Sequence, residues 1–278
     1  MKVLILGSKG NLGPELGRVY KAVKPTLWDR EELDITDEAA VMEKTSQLKP
    51  DVVFNCAAYN AVDKSEEERL VAENINGTAV GFVARACYAV GAILVHFSSN
   101  YVFDGTNPEG YNEDDLPNPI NAYGKSKLMG EMELVRNCEK YYLVRTAWLY
   151  GGQGTGKKSF VDLMLKKAEK DESINAIDDE FGNPTYLVDL AQAVAALIEQ
   201  KKPFGIYHLI NSGQASWYDW GNEIFAVREI AASLAAISAA DADVIWKRAA
   251  KRPKYGILNN TKFIELRPWA EALKEYLS

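Results

Sequence analysis

The sequence predicts an α/β protein: a Rossmann-type, doubly wound parallel sheet with a smaller C-terminal α/β substrate-binding lobe. Three observations predict it. Short β-rich apolar runs alternate with longer helical patterns; those runs are unbroken rather than alternating, as in strands covered by helices on both faces; and a glycine-rich turn follows the first of them. Strands are expected at KVLIL (2–6), PTLWD (25–29), DVVFN (51–55), AILVHFS (92–98) and YYLVRTAW (141–148), with helices starting near Asn11, Thr36, Glu66 and Ile120. Thr36 heads the string T-D-E-A, where its hydroxyl is expected to cap and the acids to complement the helix dipole. After Trp148 the alternation lapses into GGQGTGKK (151–158), a loop whose four glycines and two lysines suggest mobility or contact with an anion. A boundary is placed there, giving domains 1–150 and 151–278, with a helix near 186–200 able to pack back onto the first. Residues 159–278 mix helical stretches with short strands such as GIYHL (205–209) and include an alanine-rich region, 226–250.

Composition narrows the function. The 278 residues carry 32 basic against 39 acidic side chains, a net charge of −7, and no Lys/Arg run, which argues against nucleic acid and anionic lipid as partners. With 47% hydrophobic residues a substantial core can be buried. Three scattered cysteines, Cys56, Cys87 and Cys138, support neither a disulfide framework nor a cysteine zinc site, and two histidines, His96 and His208, offer little for a metal. The N-terminal apolar run is too short for a signal peptide or a membrane span, so a cytoplasmic protein is expected.

Gly7, Gly10 and Gly13 stand in G-x-x-G-x-x-G spacing directly after the first strand, where glycines let backbone N–H groups approach a pyrophosphate. Asp29 lies about 20 residues further on, where an acid bonds the adenosine ribose hydroxyls of NAD. Its neighbour Arg30 can instead pair with the 2′-phosphate of NADP, so the expected cofactor is NADPH or NADH. Asn55-Cys56-Ala57-Ala58 ends the third strand in small residues that leave room for a cofactor, with Cys56 read as a packed small hydrophobe.

Tyr123 and Lys127 form a Y-x-x-x-K pair, and i and i+4 share one helix face, so phenol and ammonium can point at one ligand. The ammonium is expected to lower the phenol pKa. The same spacing at Tyr20 and Lys24 falls in the first helix and carries no expectation. What singles out Tyr123 is its place after the fourth strand, whose end carries Ser98-Ser99-Asn100-Tyr101. Ser99, Tyr123 and Lys127 together make a carbonyl-reducing site: Ser99 orients the oxygen, Tyr123 donates the proton, and Lys127 tunes Tyr123 while bonding the nicotinamide ribose.

The glycine motif followed by NCAAYNAVDKSE (55–66), SSNYVFDG (98–105), YGKSKLMGE (123–131), RTAWLYG (145–151) and DEFGNPT (179–185) resembles the extended short-chain dehydrogenase/reductases, and more narrowly the dTDP-4-dehydrorhamnose reductase family, over nearly the whole chain. The resemblance implies reduction of the 4-keto group of a nucleotide-linked 6-deoxyhexose, in dTDP-rhamnose biosynthesis, by a homodimer. The family's catalytic residues fall on Ser99, Tyr123 and Lys127. The cofactor site is expected at Gly7, Gly10, Asn11, Leu12, Gly13, Asp29, Arg30, Asp34, Ile35, Ala57, Ala58, Tyr59, Tyr123 and Lys127. The sugar nucleotide is expected at Val62, Ser99, Asn100, Tyr101, Trp148 and Arg252, the last beside its diphosphate. The chain departs from the family at Asn100, usually Asp, and at Gly256, usually a small hydroxyl residue. Some members bind magnesium at a dimer contact through a glutamate matched by Glu15; its partners are not matched here and no metal is expected. The same superfamily holds the non-catalytic β subunit of methionine adenosyltransferase, a regulatory alternative, and reductases or epimerases of other sugar nucleotides are a third reading.

Overall fold

Every residue of the first strand, β1 (Val3–Leu6), is buried, but successive side chains enter opposite layers. Val3 and Ile5 join the core on one face of the sheet, Leu4 and Leu6 the core on the other. This two-sided burial is why the strand reads as an unbroken apolar run. With β2 (Thr26–Trp28), β3 (Val52–Asn55), β4 (Ile93–Ser99), β5 (Tyr141–Thr146) and β6 (Gly205–His208) it forms a six-stranded sheet, ordered β6-β5-β4-β3-β1-β2, in which all neighbours are parallel. This computed structural model describes residues 1–152, 154–155, 158–170 and 174–278. The 151–158 loop is thus described only in part, Gln153, Gly156 and Lys157 lying outside those residues; its Thr155 donates its N–H to the Lys9 carbonyl at 2.9 Å.

On the first face α1 (Gly13–Val19) contributes Leu16. The second is covered by α2 (Glu38–Leu48), α3 (Ala79–Val90) and α4 (Ala122–Asn137), through Val41, Val83 and Leu134. A further cluster around Trp220 and Ile224 joins α5 (Phe160–Glu169), α7 (Trp217–Val227) and α9 (Trp269–Leu277). Between α5 and α7 in sequence, α6 (Leu187–Glu199) returns to the sheet and packs Leu187, Leu190, Val194 and Leu197 beside Leu16. The alanine-rich stretch divides into a strand, Leu234–Ile237, paired with Ile174–Ile177, and α8 (Ala239–Trp246).

Three local expectations need correction, and one helix start is placed more closely. GIYHL belongs to the central sheet rather than to the second lobe: Gly205–His208 pair with Tyr142–Arg145 and cover the otherwise open edge of β5. Thr36 is not the cap of α2. Its hydroxyl donates to Asp34 at 2.7 Å, and Asp37, in extended backbone, accepts the Ala40 N–H at 3.0 Å instead. No single helix begins near Glu66; two short ones, Lys64–Glu67 and Arg69–Glu73, and a wide π turn, Asn74–Thr78, precede α3. The first helix begins at Gly13, two residues after Asn11.

Helix α4 comes unusually close to its neighbours, and glycines permit it. A Cβ on Gly130 would lie 2.0 Å from the Asn76 carbonyl oxygen, and one on Gly124 would lie 2.1 Å from that of Tyr101. Both obstacles are backbone atoms, which cannot rotate aside. Gly130→Ala should therefore lower the unfolding free energy by about 1–3 kcal/mol, the cost of overpacking a tight core, as read by urea denaturation. An unchanged midpoint would show that α4 has room the structure does not give it.

Candidate active site

The carboxyl end of β4 and the first turns of α4 bring the predicted catalytic residues together. Asn121 caps α4 by accepting the Gly124 N–H at 2.7 Å, which sets the height of Tyr123 one turn in. Tyr123 donates to Asn60 Oδ1 at 3.4 Å and meets the Tyr101 ring edge-on, centroids 5.5 Å apart. Ser99 accepts the Tyr101 N–H at 3.2 Å and donates to Asn100 Oδ1 at 3.1 Å. Lys127, one turn below Tyr123, is 2% exposed and donates from Nζ to the Phe97 carbonyl at 2.6 Å.

Protonation corrects the expectation of a depressed phenol. Burial pushes Tyr123 up to about 12, opposed by the Ser99 hydrogen bond and reinforced by Tyr101. The Lys127 ammonium, which donates to the Phe97 carbonyl and is itself pushed down to about 8 by burial against the attraction of Glu131, does not outweigh the burial of the phenol. Tyr123 is therefore protonated at neutral pH.

Glu131, a further turn along the face bearing Tyr123 and Lys127, was not singled out by the sequence. It takes Arg145 of β5 bidentately, at 2.7 and 3.0 Å, and the Ser98 hydroxyl, and the Arg145 guanidinium lies 5.1 Å from the Phe103 ring centroid. Asn76 was missed likewise. It accepts the Tyr59 N–H at 2.8 Å and donates to the Tyr59 carbonyl at 2.9 Å and to Ser126 at 3.0 Å, stitching the 57–60 loop to α4. The i+8 spacing Tyr123/Lys127/Glu131 was a usable signal for the first; for Asn76 no local pattern gave one.

The three glycines divide their work. Gly7 has φ +68°, and a Cβ there would lie 2.6 Å from the Ala57 nitrogen; on Gly13 it would lie 2.6 Å from the Ser8 oxygen. A Cβ on Gly10 would meet nothing closer than the Gly7 oxygen at 3.2 Å. Gly7 and Gly13 serve packing within the turn, and Gly10 holds open the space outside it. Asp29 braces the same turn by accepting the Lys9 N–H at 2.8 Å, while exposed Arg30 reaches Asp34 Oδ2 at 3.2 Å. Asn11 lies under Gly152, whose Cβ would meet the Asn11 oxygen at 2.6 Å. Leu12 and Ile35 are core side chains, so only their backbone is available to a ligand. Burial pushes the Cys56 thiol up, as suits a packed residue.

Asn100, Tyr101, Trp148 and Arg252 line one narrow cleft with Trp217 and Gly256. Trp148 has left-handed backbone, φ 45°, an unfavourable state for a bulky residue, and stacks on Trp217 at 3.7 Å. Arg252 is held bidentately by Asp63, at 2.5 and 2.6 Å, and the guanidinium holds the Asp63 carboxyl down to about 2. Half-buried Val62 precedes that aspartate. Glu15 pairs with Arg18 at 2.8 Å, and among the described residues no three His, Cys, Asp or Glu side chains gather as a metal site.

The buried ammonium makes stability depend on pH. Lys127 has a folded pKa of about 8 against an ordinary 10.5, so between those values the unfolded chain binds the extra proton and stability rises with pH. Lys127→Met removes that uptake. Relative to the parent, its unfolding free energy should fall by about 3 kcal/mol across that interval in a urea series. A pH-independent difference would contradict the desolvated ammonium.

A family model described as RmlD substrate binding domain matches residues 1–278. Spore coat polysaccharide biosynthesis protein SpsK of Bacillus subtilis is 37% identical over 99% of this chain and 96% of its own. The dTDP-4-dehydrorhamnose reductase of Salmonella typhimurium is 34% identical over 95% of this chain and 91% of its own. The crystal structure of dTDP-4-dehydrorhamnose reductase from Bacillus anthracis in complex with NADP superposes with a TM-score of 0.93 at 35% identity, covering 99% of both chains. UDP-glucose 4-epimerase of Thermotoga maritima, at 17% identity and a TM-score of 0.81, shares the fold alone. Matched along its whole length, the chain belongs to the RmlD substrate binding domain family.

Proposed function

We propose that the protein reduces the 4-keto group of dTDP-4-dehydro-L-rhamnose to give dTDP-L-rhamnose, using NADPH or NADH. The observation that carries this reading is the convergence of Ser99, Tyr123 and Lys127 at one strand end, beside a cleft lined by Tyr101, Trp148 and Arg252, in a chain similar over its length to proteins named for that reaction. The turn at Gly10 fits a dinucleotide, since the space its missing side chain leaves faces outward. Gly7, Gly10, Asn11, Leu12 and Gly13 would hold the pyrophosphate by backbone, Asp29, Arg30, Asp34 and Ile35 the adenosine end, and Ala57, Ala58 and Tyr59 the nicotinamide side. Bound NADPH or NADH supplies the hydride.

The remaining chemistry belongs to the chain. Ser99 orients the carbonyl oxygen, and Tyr123, protonated at neutral pH, gives that oxygen its proton as the carbon becomes an alcohol. The nearby Lys127 cation lowers the cost of the phenolate left behind, which recovers its proton from water. Trp148 offers a flat apolar face to the deoxysugar, and Val62, Asn100 and Tyr101 complete its surroundings. Arg252, preset by Asp63, faces the diphosphate.

In this reading residues 1–150, with α6 and β6, form the cofactor half, and the rest of 151–278 the substrate lobe. A purely regulatory protein would leave the buried Lys127 charge without a task. A cytoplasmic location is supported by three unpaired cysteines and by the lack, among the described residues, of a helix long and apolar enough to cross a membrane. A homodimer is the assembly that the family resemblance supports.

Tyr123→Phe keeps the ring and removes the proton, so kcat should fall by about 10²-fold or more while cofactor affinity holds. Tyr20→Phe is the matched control. Its hydroxyl is buried without a partner in the first core, and its loss should leave kcat at the parent rate. Equal rates for both variants would remove Tyr123 from the reaction.

A further inference from the structure

Asn100 and Gly256 are 156 residues apart in sequence and in direct contact. The Asn100 amide is buried, donates from Nδ2 to the Gly256 carbonyl at 2.7 Å, and accepts the Ser99 hydroxyl on Oδ1 at 3.1 Å. A carbonyl can only accept, so the Gly256 oxygen requires the NH2 end of the amide to face it, which leaves the acceptor end facing Ser99. Gly256 is itself fixed, its N–H donating to the Phe181 carbonyl at 2.8 Å while Phe181 donates back to Lys254 at 2.8 Å. The contact is made at a glycine: a Cβ at position 256 would lie 2.5 Å from Asn100 Nδ2, so the amide would have to shift.

Resting on the functional reading above, we propose that Asn100 is a positioning residue for Ser99, matched to glycine at position 256, so that this one amide locks the Arg252-bearing segment of the second lobe onto the catalytic strand end. A carboxylate at position 100 keeps the shape but sets an oxygen against the Gly256 carbonyl, two acceptors with no proton between them. A side chain at position 256 displaces the amide. Each change alone therefore loosens Ser99. Together they compensate when position 256 carries a hydroxyl, because the carboxylate withdraws from the carbonyl, makes room for the Cβ and accepts the new O–H.

The test is a double-mutant cycle on the full chain with NADPH and dTDP-4-dehydro-L-rhamnose, using Asn100→Asp, Gly256→Ser and the pair. At saturation of both ligands, each single variant should lose about tenfold in kcat, the worth of one well-placed hydrogen bond, with NADPH Kd within about twofold of the parent. The pair should recover most of the loss, and kcat at saturation of folded protein does not report global stability. Asn100→Asp/Gly256→Ala, which adds the Cβ without the hydroxyl, should stay impaired. Single variants with parent kcat, or a pair whose loss is the product of the single losses, would overturn the proposal. If a charged variant fails to fold, the cycle is run with Asn100→Ala and Gly256→Ala: once the amide is gone the added Cβ should cost nothing further in kcat, and an additive loss would refute the pairing. A folded parent that turns over no substrate would count against the functional reading, while the same cycle scored on melting temperature would still show coupling if Asn100 and Gly256 are matched, and additivity if they are not.

Discussion

The buried ion pair between Arg145 and Glu131 is the constraint on which the candidate site depends, because it fixes helix α4 to the sheet close to Tyr123 and Lys127. Taking both charges out of water costs about as much as their attraction returns, so such a pair is a weak source of stability. Its value here is geometric. Arg145 lies next to Thr146 at the end of β5, Glu131 lies two turns below Tyr123, and the hydrogen bonds between them admit one height and one rotation of the helix. Gly124 and Gly130 then let the helix close on the Tyr101 and Asn76 carbonyls, and Ser98 ties the same carboxylate to β4. A slip of one residue would bury unpaired charge, which costs several kcal/mol.

Within that frame the site holds several groups in states they would not choose in water. Lys127 is a buried ammonium with one carbonyl partner, Tyr123 a phenol shielded from solvent, and Trp148 a bulky residue with positive φ. Perturbed groups of this kind cluster where chemistry is done, and the surrounding structure bears their cost. Arg252 is the counterexample. Its charge is matched by Asp63, which ties the second lobe to the loop after β3 and fixes the guanidinium in the lining of the cleft.

Much of this was legible in the sequence because the physics behind it is local. Two-sided burial writes unbroken apolar runs, a tightly packed strand-to-helix turn writes its glycines, and one helix face writes Tyr123 and Lys127. What was not legible is long-range or competitive. Pairing of Gly205–His208 with β5 depends on an open edge that no local pattern announces. Asp37 displaced Thr36 as a cap because Asp34 had already engaged the threonine hydroxyl. The protonation of Tyr123 followed its burial, which a Y-x-x-x-K string does not show. Asn100 and Gly256 stood out separately as departures from the family, and only the fold shows that they touch.

The central claim is that this frame performs carbonyl reduction, and single-turnover kinetics test it most directly. Folded protein loaded with one equivalent of NADPH carrying deuterium at the transferable position is mixed with dTDP-4-dehydro-L-rhamnose, and the absorbance of reduced nicotinamide is followed. The account predicts loss of one reduced cofactor per sugar nucleotide, with the deuterium recovered at C4 of the sugar. No absorbance change from cofactor-loaded protein, or deuterium at another carbon, would contradict it.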